Sequence, residues 1–284
     1  MHLPRAKKRF GQNFLVDERV VERIVSEVRP RAGETIIEIG AGRGALTSRL
    51  LEGAGRVVAI EFDRELVPFL REHFEDAGDR FEIVEADALV LNFCALIAPE
   101  SRARVVANLP YNISTAILQR LIEQRGCLTE LILMLQREVV ERITAPAGSS
   151  ERGYLSVLVE AYCEAEALFD VAPGAFRPVP KVWSTVARLR VREQTAVAVA
   201  DEALLWRVVS ACFAQRRKTI FNNLRAAPDT LRQDIERAGG VQQILEAAEI
   251  EPQRRAETLL LIEWGRLAHA IQLRNAECGM RIQE

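Results

Sequence analysis

Four consecutive residues, Asn108, Leu109, Pro110 and Tyr111, carry groups that suit the methylation of a planar amine. The exocyclic nitrogen of adenine is a poor nucleophile because its lone pair is delocalised into the ring. If the Asn108 side-chain oxygen and the Leu109 carbonyl accept both amine hydrogens, they favour a pyramidal nitrogen with a localised lone pair. Pro110 stiffens the turn, and Tyr111 can stack on the base, a contact that contributes about 1–3 kcal/mol. Taken alone, the four residues also fit a simple strand-ending turn.

A glycine-rich turn upstream carries a second set of chemically useful residues, namely Glu38, Gly40, Gly42 and Gly44. Glycines at such a turn let the backbone approach a ligand closely. Glu61 ends the next apolar run, where its carboxylate can accept hydrogen bonds from both ribose hydroxyls. Asp87, with Ala88 beside it, follows the third run, where it can accept from an adenine amine. These positions predict a pocket for an adenosine-containing cofactor.

Two other interpretations of the glycine turn stay open from the residues alone. Gly40, Gly42 and Ala45 also fit the dinucleotide fingerprint, with Glu61 at a suitable distance, so a dehydrogenase competes. A purely structural turn of an α/β fold is the other. Glu38 argues against a dinucleotide, because a carboxylate there would repel a pyrophosphate. It can instead restrain the amino acid portion of S-adenosylmethionine, which the residues from Asn108 to Tyr111 also favour.

The elements that must position these residues alternate between strand and helix. Apolar runs predict strands at Thr35–Ile39, Arg56–Glu61, Phe81–Glu85, Arg104–Asn108 and Glu130–Leu135, and helices over residues 20–28, 45–51, 64–75 and 114–124. Such alternation predicts an α/β fold, a Rossmann-like parallel sheet with helices on both faces and the ligand site along one edge. After Arg190 the pattern becomes helical. We therefore predict a cofactor-binding domain over residues 1–192, a linker near 191–200 and a small all-helical domain over 200–284.

Composition limits the classes that remain. Hydrophobic residues make up 49% and charged residues 27% of the 284-residue chain, which is typical of a globular protein. No apolar run reaches the roughly 20 residues of a membrane helix. The basic N-terminus lacks the apolar stretch of a secretory signal. Five single cysteines and three dispersed histidines do not suggest a metal site, and isolated thiols suggest a reducing cytoplasm.

Net charge of −2 argues mildly against an RNA-binding protein, but the charge is unevenly distributed. Residues 1–16 contain Lys7, Lys8 and Arg9 and no acid. Residues 203–228 contain Arg216, Arg217 and Lys218 and again no acid. These two segments are predicted to contact RNA phosphates, although charge alone favours the alternative that they are solvated faces of ordinary helices.

With these residues placed, the chain resembles the ribosomal RNA adenine dimethylases, and most of all their bacterial small-subunit, kasugamycin-resistance branch. The resemblance runs from about Arg9 to Ile271. Its motifs are Gly11–Leu15, the glycine turn, Asn108–Tyr111, Leu135–Val139, Tyr154–Val157, Phe176–Val182, Gln215–Thr219 and Asn222–Leu224. Two positions depart from the family: Trp183 stands where an acidic residue is usual, and Phe221 stands where a basic residue is frequent.

The resemblance implies roles for residues that spacing alone does not assign. It places Gln12, Asn13 and Leu15 in the cofactor pocket, and it assigns Phe176 to holding the flipped target base together with Tyr111. It implies that four methyl groups pass from S-adenosylmethionine to two adjacent adenines in a hairpin near the 3′ end of small-subunit RNA, within an assembling 30S particle. Loop bases are partly unstacked already, so flipping them costs less than in a duplex.

We further expect a cytoplasmic monomer without metal or membrane attachment, and no removable leader, because the opening motif begins at Gly11. Two alternatives of different kinds stay open. One is a large-subunit, erythromycin-resistance type dimethylase, which shares the fold and the catalytic turn. The other is a ribosome-assembly binding factor that has the fold without needing catalysis.

Overall fold

A seven-stranded sheet frames the part of the chain that carries the predicted site. The computed structural model describes residues 4–7 and 10–281, with side chains through residue 276. Within these residues the strands are Phe14–Leu15 (β1), Thr35–Ile39 (β2), Arg56–Glu61 (β3), Phe81–Glu85 (β4), Ala103–Asn108 (β5), Leu128–Gln136 (β6), Cys163–Val171 (β7), Phe176–Arg177 (β8) and Ser184–Val191 (β9). The main sheet has the order β4-β3-β2-β5-β6-β9-β7, and β1 pairs with β8 in a separate two-stranded sheet.

The predicted strands β2 to β6 are confirmed and run parallel to one another. Two further strands that the sequence pattern did not predict complete the sheet, and β9 pairs antiparallel with both β6 and β7. All five residues of the central strand β2 are buried. A strand covered on both faces reads as a continuous apolar run, which is why the sequence reveals it.

The helices are Glu18–Val28 (α1), Ala45–Gly53 (α2), Leu66–His73 (α3), Phe93–Leu96 (α4), Ser114–Glu123 (α5), Arg137–Ile143 (α6), Tyr154–Tyr162 (α7), Glu202–Phe213 (α8), Ile220–Arg225 (α9), Asp229–Arg237 (α10), Val241–Ala247 (α11) and Leu261–Arg281 (α12). Asp17 caps the start of α1, since its carboxylate accepts from the Arg19 amide at 3.0 Å. Such a cap satisfies one of the donors that every helix start leaves open.

Contacts divide the chain into two units. The first contains the chain up to Val140 together with Cys163–Arg192, and the second contains Glu141–Tyr162 and the chain from Glu193 onward. We predicted a single boundary near residues 192–200. The structure also places Glu141–Tyr162 in the second, helical unit, which the sequence did not predict. The reason lies in tertiary contacts within the second unit: the Tyr162 hydroxyl donates to Glu202 at 2.7 Å and accepts from the Trp206 indole at 2.8 Å.

The expectation of isolated thiols is wrong for two cysteines. Cys94 and Cys127, 33 positions apart, form a disulfide with their Cα atoms 5.5 Å apart. The start of α4 and the turn before β6 meet in space, which linear spacing does not reveal. Cys163 and Cys212 are free and buried, as expected of small apolar side chains. Cys278 lies beyond the described side chains.

No helix in the described part of the chain combines the length and the apolar character needed to cross a lipid bilayer. The same residues also contain no group of three or more His, Cys, Asp or Glu side chains that could hold a metal ion. The expectations about membrane and metal are not decided by these absences.

Candidate active site

A cavity in the first unit lies along the carboxyl ends of β2, β3, β4 and β5, the edge where open α/β sheets bind ligands. Most of the predicted cofactor and catalytic residues line it. These are Gln12, Asn13, Gly40, Gly42, Glu61, Asp87, Ala88, Asn108, Leu109, Pro110 and Tyr111. Residues from five separate segments thus converge on one space, although their contacts with ligands stay predictions.

Glu61 is fixed at the end of β3 by two backbone amides. Its Oε2 accepts from the Gly42 amide and its Oε1 accepts from the Asp63 amide, each at 2.9 Å. Burial raises the pKa of Glu61, and the hydrogen bonds from Asp63 and Gly42 partly offset that effect. Each carboxylate oxygen keeps a further acceptor site. The arrangement holds a rigid acceptor pair on the cavity wall, as binding of two vicinal hydroxyls requires.

The Gly42 amide can reach Glu61 because the glycine turn adopts a backbone that other residues avoid. Gly42 has φ of 59°, in the left-handed region. A Cβ there would also lie 3.1 Å from the Phe14 ring. Position 42 therefore needs glycine for both its conformation and its space.

Asp87 follows β4 on the same side of the cavity. Its Oδ1 accepts from the Leu89 amide at 2.9 Å, which orients the carboxylate. Among the described residues no hydrogen bond reaches Oδ2, so this oxygen can accept from a ligand amine. The geometry fits the predicted contact with an adenine amino group.

The turn Asn108–Tyr111, which we term the catalytic turn for its predicted role, contains two acceptors that no donor among the described residues uses. The Asn108 amide nitrogen donates to the Asn13 carbonyl at 3.1 Å, and this bond fixes which end of the amide is the oxygen. Within the described part of the chain, neither Asn108 Oδ1 nor the Leu109 carbonyl accepts a hydrogen bond. These are the two atoms predicted to accept the hydrogens of the target amine.

The rest of the turn is braced. The Ile113 amide donates to the Pro110 carbonyl at 3.1 Å, and Ser114 Oγ donates to the Tyr111 carbonyl at 3.2 Å. The Tyr111 hydroxyl lies 2.7 Å from Ser184 Oγ at the start of β9. Burial raises the pKa of Tyr111, against a smaller opposing effect of Ser184, so the phenol stays neutral near pH 7. The ring is held as an uncharged surface beside the acceptors.

The segment before β1 also lines the cavity. Gln12 donates to Asp63 at 3.1 Å, and Lys7 pairs with Asp63 at 2.6 Å and with Glu65 at 3.0 Å. Burial alone would raise the pKa of Asp63, but hydrogen bonds from Lys7, the Glu65 amide and Gln12 bring it below its usual value. The structure thus places Lys7 in an ion-pair network, while its predicted RNA contact stays untested. Lys8 and Arg9 lie outside the described residues.

Four predicted site residues do not line the cavity: Leu15, Glu38, Gly44 and Phe176. Leu15 and Phe176 are buried and pair across β1 and β8. Phe176 has no exposed surface and belongs to the hydrophobic core, because strand pairing turns it inward. Gly44 begins α2, where a Cβ would lie 2.7 Å from the Phe74 ring. Tyr111 and Phe176 are the two aromatic residues predicted to hold the target base. In this structure Tyr111 lines the cavity and Phe176 does not.

Glu38 lies behind the glycine turn, where Thr47 Oγ1 donates to it at 2.5 Å. Burial raises the pKa of Glu38 to about 8. The raised pKa lowers the charge that the carboxyl carries near pH 7, so Glu38 gives little support to the expected repulsion of a pyrophosphate. The choice between S-adenosylmethionine and a dinucleotide has to rest on other residues.

Sequence reasoning missed several cavity residues. Phe62 is 55% exposed and meets Phe10 edge to face, with ring centroids 5.4 Å apart. Asp63 and Asn112 also line the cavity. Phe62 and Asp63 directly follow Glu61, so extending the search past each strand end would have found them. Asn112 directly follows Tyr111 and could have been found in the same way, whereas Phe10 is brought in by tertiary folding.

The predicted basic cluster of the second unit lies in the turn between α8 and α9. The Arg216 guanidinium donates to the carbonyls of Ser150 and Arg152. Arg217 and Lys218 are exposed, and no ion pair with them occurs among the described residues. The cluster therefore divides into one cation that braces a loop and two that are open to a ligand.

The sheet has one reversed strand next to its edge strand, and the cavity lies at the carboxyl ends of the parallel strands. Together these features define a Rossmann-like methyltransferase. The model of the ribosomal RNA adenine dimethylase family matches residues 4–266, and the chain belongs to that family.

Named relatives agree with this assignment. The chain is 44% identical over 263 residues to the ribosomal RNA small subunit methyltransferase A of Hahella chejuensis, covering 93% of this chain and 92% of the relative. It is 42% identical to the protein of that name from Pseudomonas aeruginosa, with 94% and 95% covered.

Among solved structures, the 23S rRNA methyltransferase ErmE superimposes with a TM-score of 0.67 at 26% identity, covering 92% of this chain and 100% of that one. A dimethyladenosine transferase from Plasmodium falciparum gives 0.77 at 24% identity, with 94% and 98% covered, which shows the shared fold. The protein is thus an S-adenosylmethionine-dependent RNA-modifying enzyme by family.

Proposed function

We propose that the protein transfers methyl groups from S-adenosylmethionine to N6 of two adjacent adenines in the 3′-terminal hairpin of small-subunit ribosomal RNA. We propose further that it acts in the cytoplasm, as a monomer, on an assembling 30S particle. One observation carries the proposal: Asn108 and Leu109 both line the cavity, and no donor among the described residues bonds Asn108 Oδ1 or the Leu109 carbonyl.

The cavity residues fit an adenosine-containing cofactor. Glu61 offers a rigid carboxylate for ribose hydroxyls, and Asp87 Oδ2 offers an acceptor for an amine. Glycine at position 42 allows the turn that brings its amide to Glu61, where a Cβ would crowd the Phe14 ring. When bound, S-adenosylmethionine supplies an activated methyl group.

The chain's own residues then act on the target amine. Asn108 and Leu109 accept its two hydrogens and localise the lone pair on nitrogen. With the methyl donor bound, that lone pair would form the new N–C bond as the donor's S–C bond breaks, and the surplus hydrogen would leave the nitrogen as a proton to water. No strong general base is needed, because positioning two reactants supplies much of the rate. Tyr111 supports the base with its neutral ring.

The choice of substrate rests on the relatives. Two relatives at 42–44% identity bear the name of small-subunit enzymes, whereas identity to the 23S enzyme is 26%. This difference favours the small subunit over the large one. An assembly factor without catalysis is disfavoured by the complete set of acceptors in the catalytic turn.

The proposal is tested by offering labelled S-adenosylmethionine with undermethylated small subunits or, separately, with undermethylated large subunits. We expect label in the small-subunit RNA alone. Label in the large-subunit RNA would show instead that the protein acts as a large-subunit dimethylase of the erythromycin-resistance type. A matched reaction with Asn108→Ala controls for methylation by contaminating enzymes.

A further inference from the structure

An exposed apolar and basic surface borders the catalytic turn, and the proposed chemistry does not use it. It is formed by residues 177–183, which we term the 177–183 segment. Val179, Val182 and Trp183 are all exposed, the indole by 49%. Lys181 is exposed too, without an ion-pair partner among the described residues, and the stretch from 171 to 183 contains no acid.

Trp183 differs from the other two tryptophans. Trp264 is fully buried against Phe213, and Trp206 packs on tyrosine rings and donates its indole hydrogen to Tyr162. The Trp183 indole has neither a ring partner nor a hydrogen-bond acceptor within the described part of the chain. Exposing a large aromatic surface is unfavourable in water, so a partner that covers it gains binding energy.

Both ends of the 177–183 segment are fixed to residues of the site. Directly before the segment, Phe176 pairs with Leu15. Leu15 lies two residues after Asn13, and the Asn13 carbonyl accepts from the Asn108 side chain. At its end, Ser184 Oγ bonds the Tyr111 hydroxyl. From this chain geometry the Trp183 Cα lies within about 9 Å of that hydroxyl, since consecutive Cα atoms are 3.8 Å apart.

The backbone of the segment is restrained. The Arg137 amide donates to the Trp183 carbonyl at 3.0 Å. Pro178 and Pro180 fix two backbone angles. A surface held in place before binding loses little entropy when a partner docks.

We propose that Trp183 stacks on a nucleotide next to the one that enters the cavity, while Lys181 contacts the RNA backbone beside it. An aromatic ring flanked by cations is the usual platform for single-stranded RNA, because every base has a face that can stack. The proposal rests on the proposed RNA substrate. It makes Trp183 a positioning residue that selects how the strand lies across the site.

The test uses the full-length protein and a single-stranded oligoribonucleotide with two adjacent adenines. We expect the RNA to quench tryptophan fluorescence, since Trp183 is the exposed indole. W183L keeps an apolar side chain without a ring, and should lose the quenching and raise the RNA Kd about 5- to 150-fold. W183F should lose the quenching but retain most of the affinity. In methylation of undermethylated small subunits, W183L should raise KM and leave kcat within about twofold.

Calorimetry of S-adenosylmethionine binding to W183L should match that of the wild type, which separates lost stacking from a damaged fold. Unchanged wild-type fluorescence on adding RNA, or wild-type RNA affinity in W183L, would overturn the proposal. So would weakened binding of W183L to whole subunits with normal binding to the oligonucleotide, because the indole would then contact a ribosomal protein. Quenching without any methyl transfer to small subunits by the wild type would refute the proposed function and leave the stacking surface standing.

Discussion

Replacing Asn108 with alanine should separate catalysis from cofactor binding. The side chain makes one bond that supports the cofactor side of the cavity, from its amide nitrogen to the Asn13 carbonyl at 3.1 Å. Its Oδ1 accepts no hydrogen bond from the described residues, and we assign it to the target amine. The substitution thus removes one supporting bond and one bond that strengthens in the transition state.

The two losses differ in size. A neutral supporting hydrogen bond contributes about 0.5–1.5 kcal/mol, so the affinity for S-adenosylmethionine should fall by roughly 2- to 13-fold. Removing one preorganised group that acts in the transition state lowers kcat by about 10²- to 10³-fold. The rate should therefore fall far more than the affinity.

The rate is measured in single turnovers on undermethylated small subunits with saturating S-adenosylmethionine, and the affinity by calorimetry. Asn112→Ala is the matched control, because Asn112 lies in the same loop and also lines the cavity. We expect it to retain most of the rate. A loss of cofactor affinity in Asn108→Ala as large as the loss of rate would refute the reasoning and make Asn108 mainly a cofactor ligand.

Three further predictions follow from the site and its surroundings. Glu61→Ala should weaken S-adenosylmethionine binding by about 10- to 150-fold in calorimetry, because a charged acceptor is worth about 1.5–3 kcal/mol; unchanged affinity would remove Glu61 from the ribose. Replacing Arg217 and Lys218 with alanine should lower the slope of log affinity for small subunits against log salt by roughly 1.4–1.8 without changing Tm. Arg216→Ala should lower Tm, because Arg216 donates to two carbonyls. The reverse pattern would contradict the assignment of Arg217 and Lys218 to RNA and of Arg216 to the fold. Burial raises the pKa of Glu38 to about 8 from 4.5, so its contribution to stability is full below pH 4.5 and is lost as the pH rises through 8. The free energy of unfolding of Glu38→Gln, relative to that of the wild type, should therefore rise by up to about 5 kcal/mol as the pH goes from 4.5 to 8. An equal difference between the two proteins at both ends of this pH range, measured by denaturation, would disprove the prediction.

The sequence predicted the elements that are governed by burial on both faces. Strands β2, β3 and β5 are apolar runs that end at Glu61 or Asn108 or directly before Gly40, so their ends and the residues that follow could be placed. Strand β4 was also predicted, although none of its residues is buried. The strands β7 and β9 were missed because charged residues alternate with apolar ones, as in Glu164 and Glu166 of β7 and Arg188 and Arg190 of β9. Those charges pair across the strands, Arg188 with Glu166 at 2.9 Å, which only the register reveals.

The candidate site was predictable where its residues follow strands, as Glu61, Asp87 and Asn108 do. The contribution of Phe10 depends on the folding of a distant segment and carries no local signal. The protonation of Glu38 is a consequence of complete burial, which the sequence does not state. The position of Phe176 in the core likewise follows from its pairing with Leu15 and not from its motif.

The central claim is tested most directly by nucleoside mass spectrometry of small-subunit RNA after incubation with the protein and methyl-labelled S-adenosylmethionine. We expect labelled N6,N6-dimethyladenosine at two adjacent positions of the 3′-terminal hairpin, formed about 10²- to 10³-fold more slowly by Asn108→Ala. Label on another base, on a ribose or in a different helix of the RNA would contradict it.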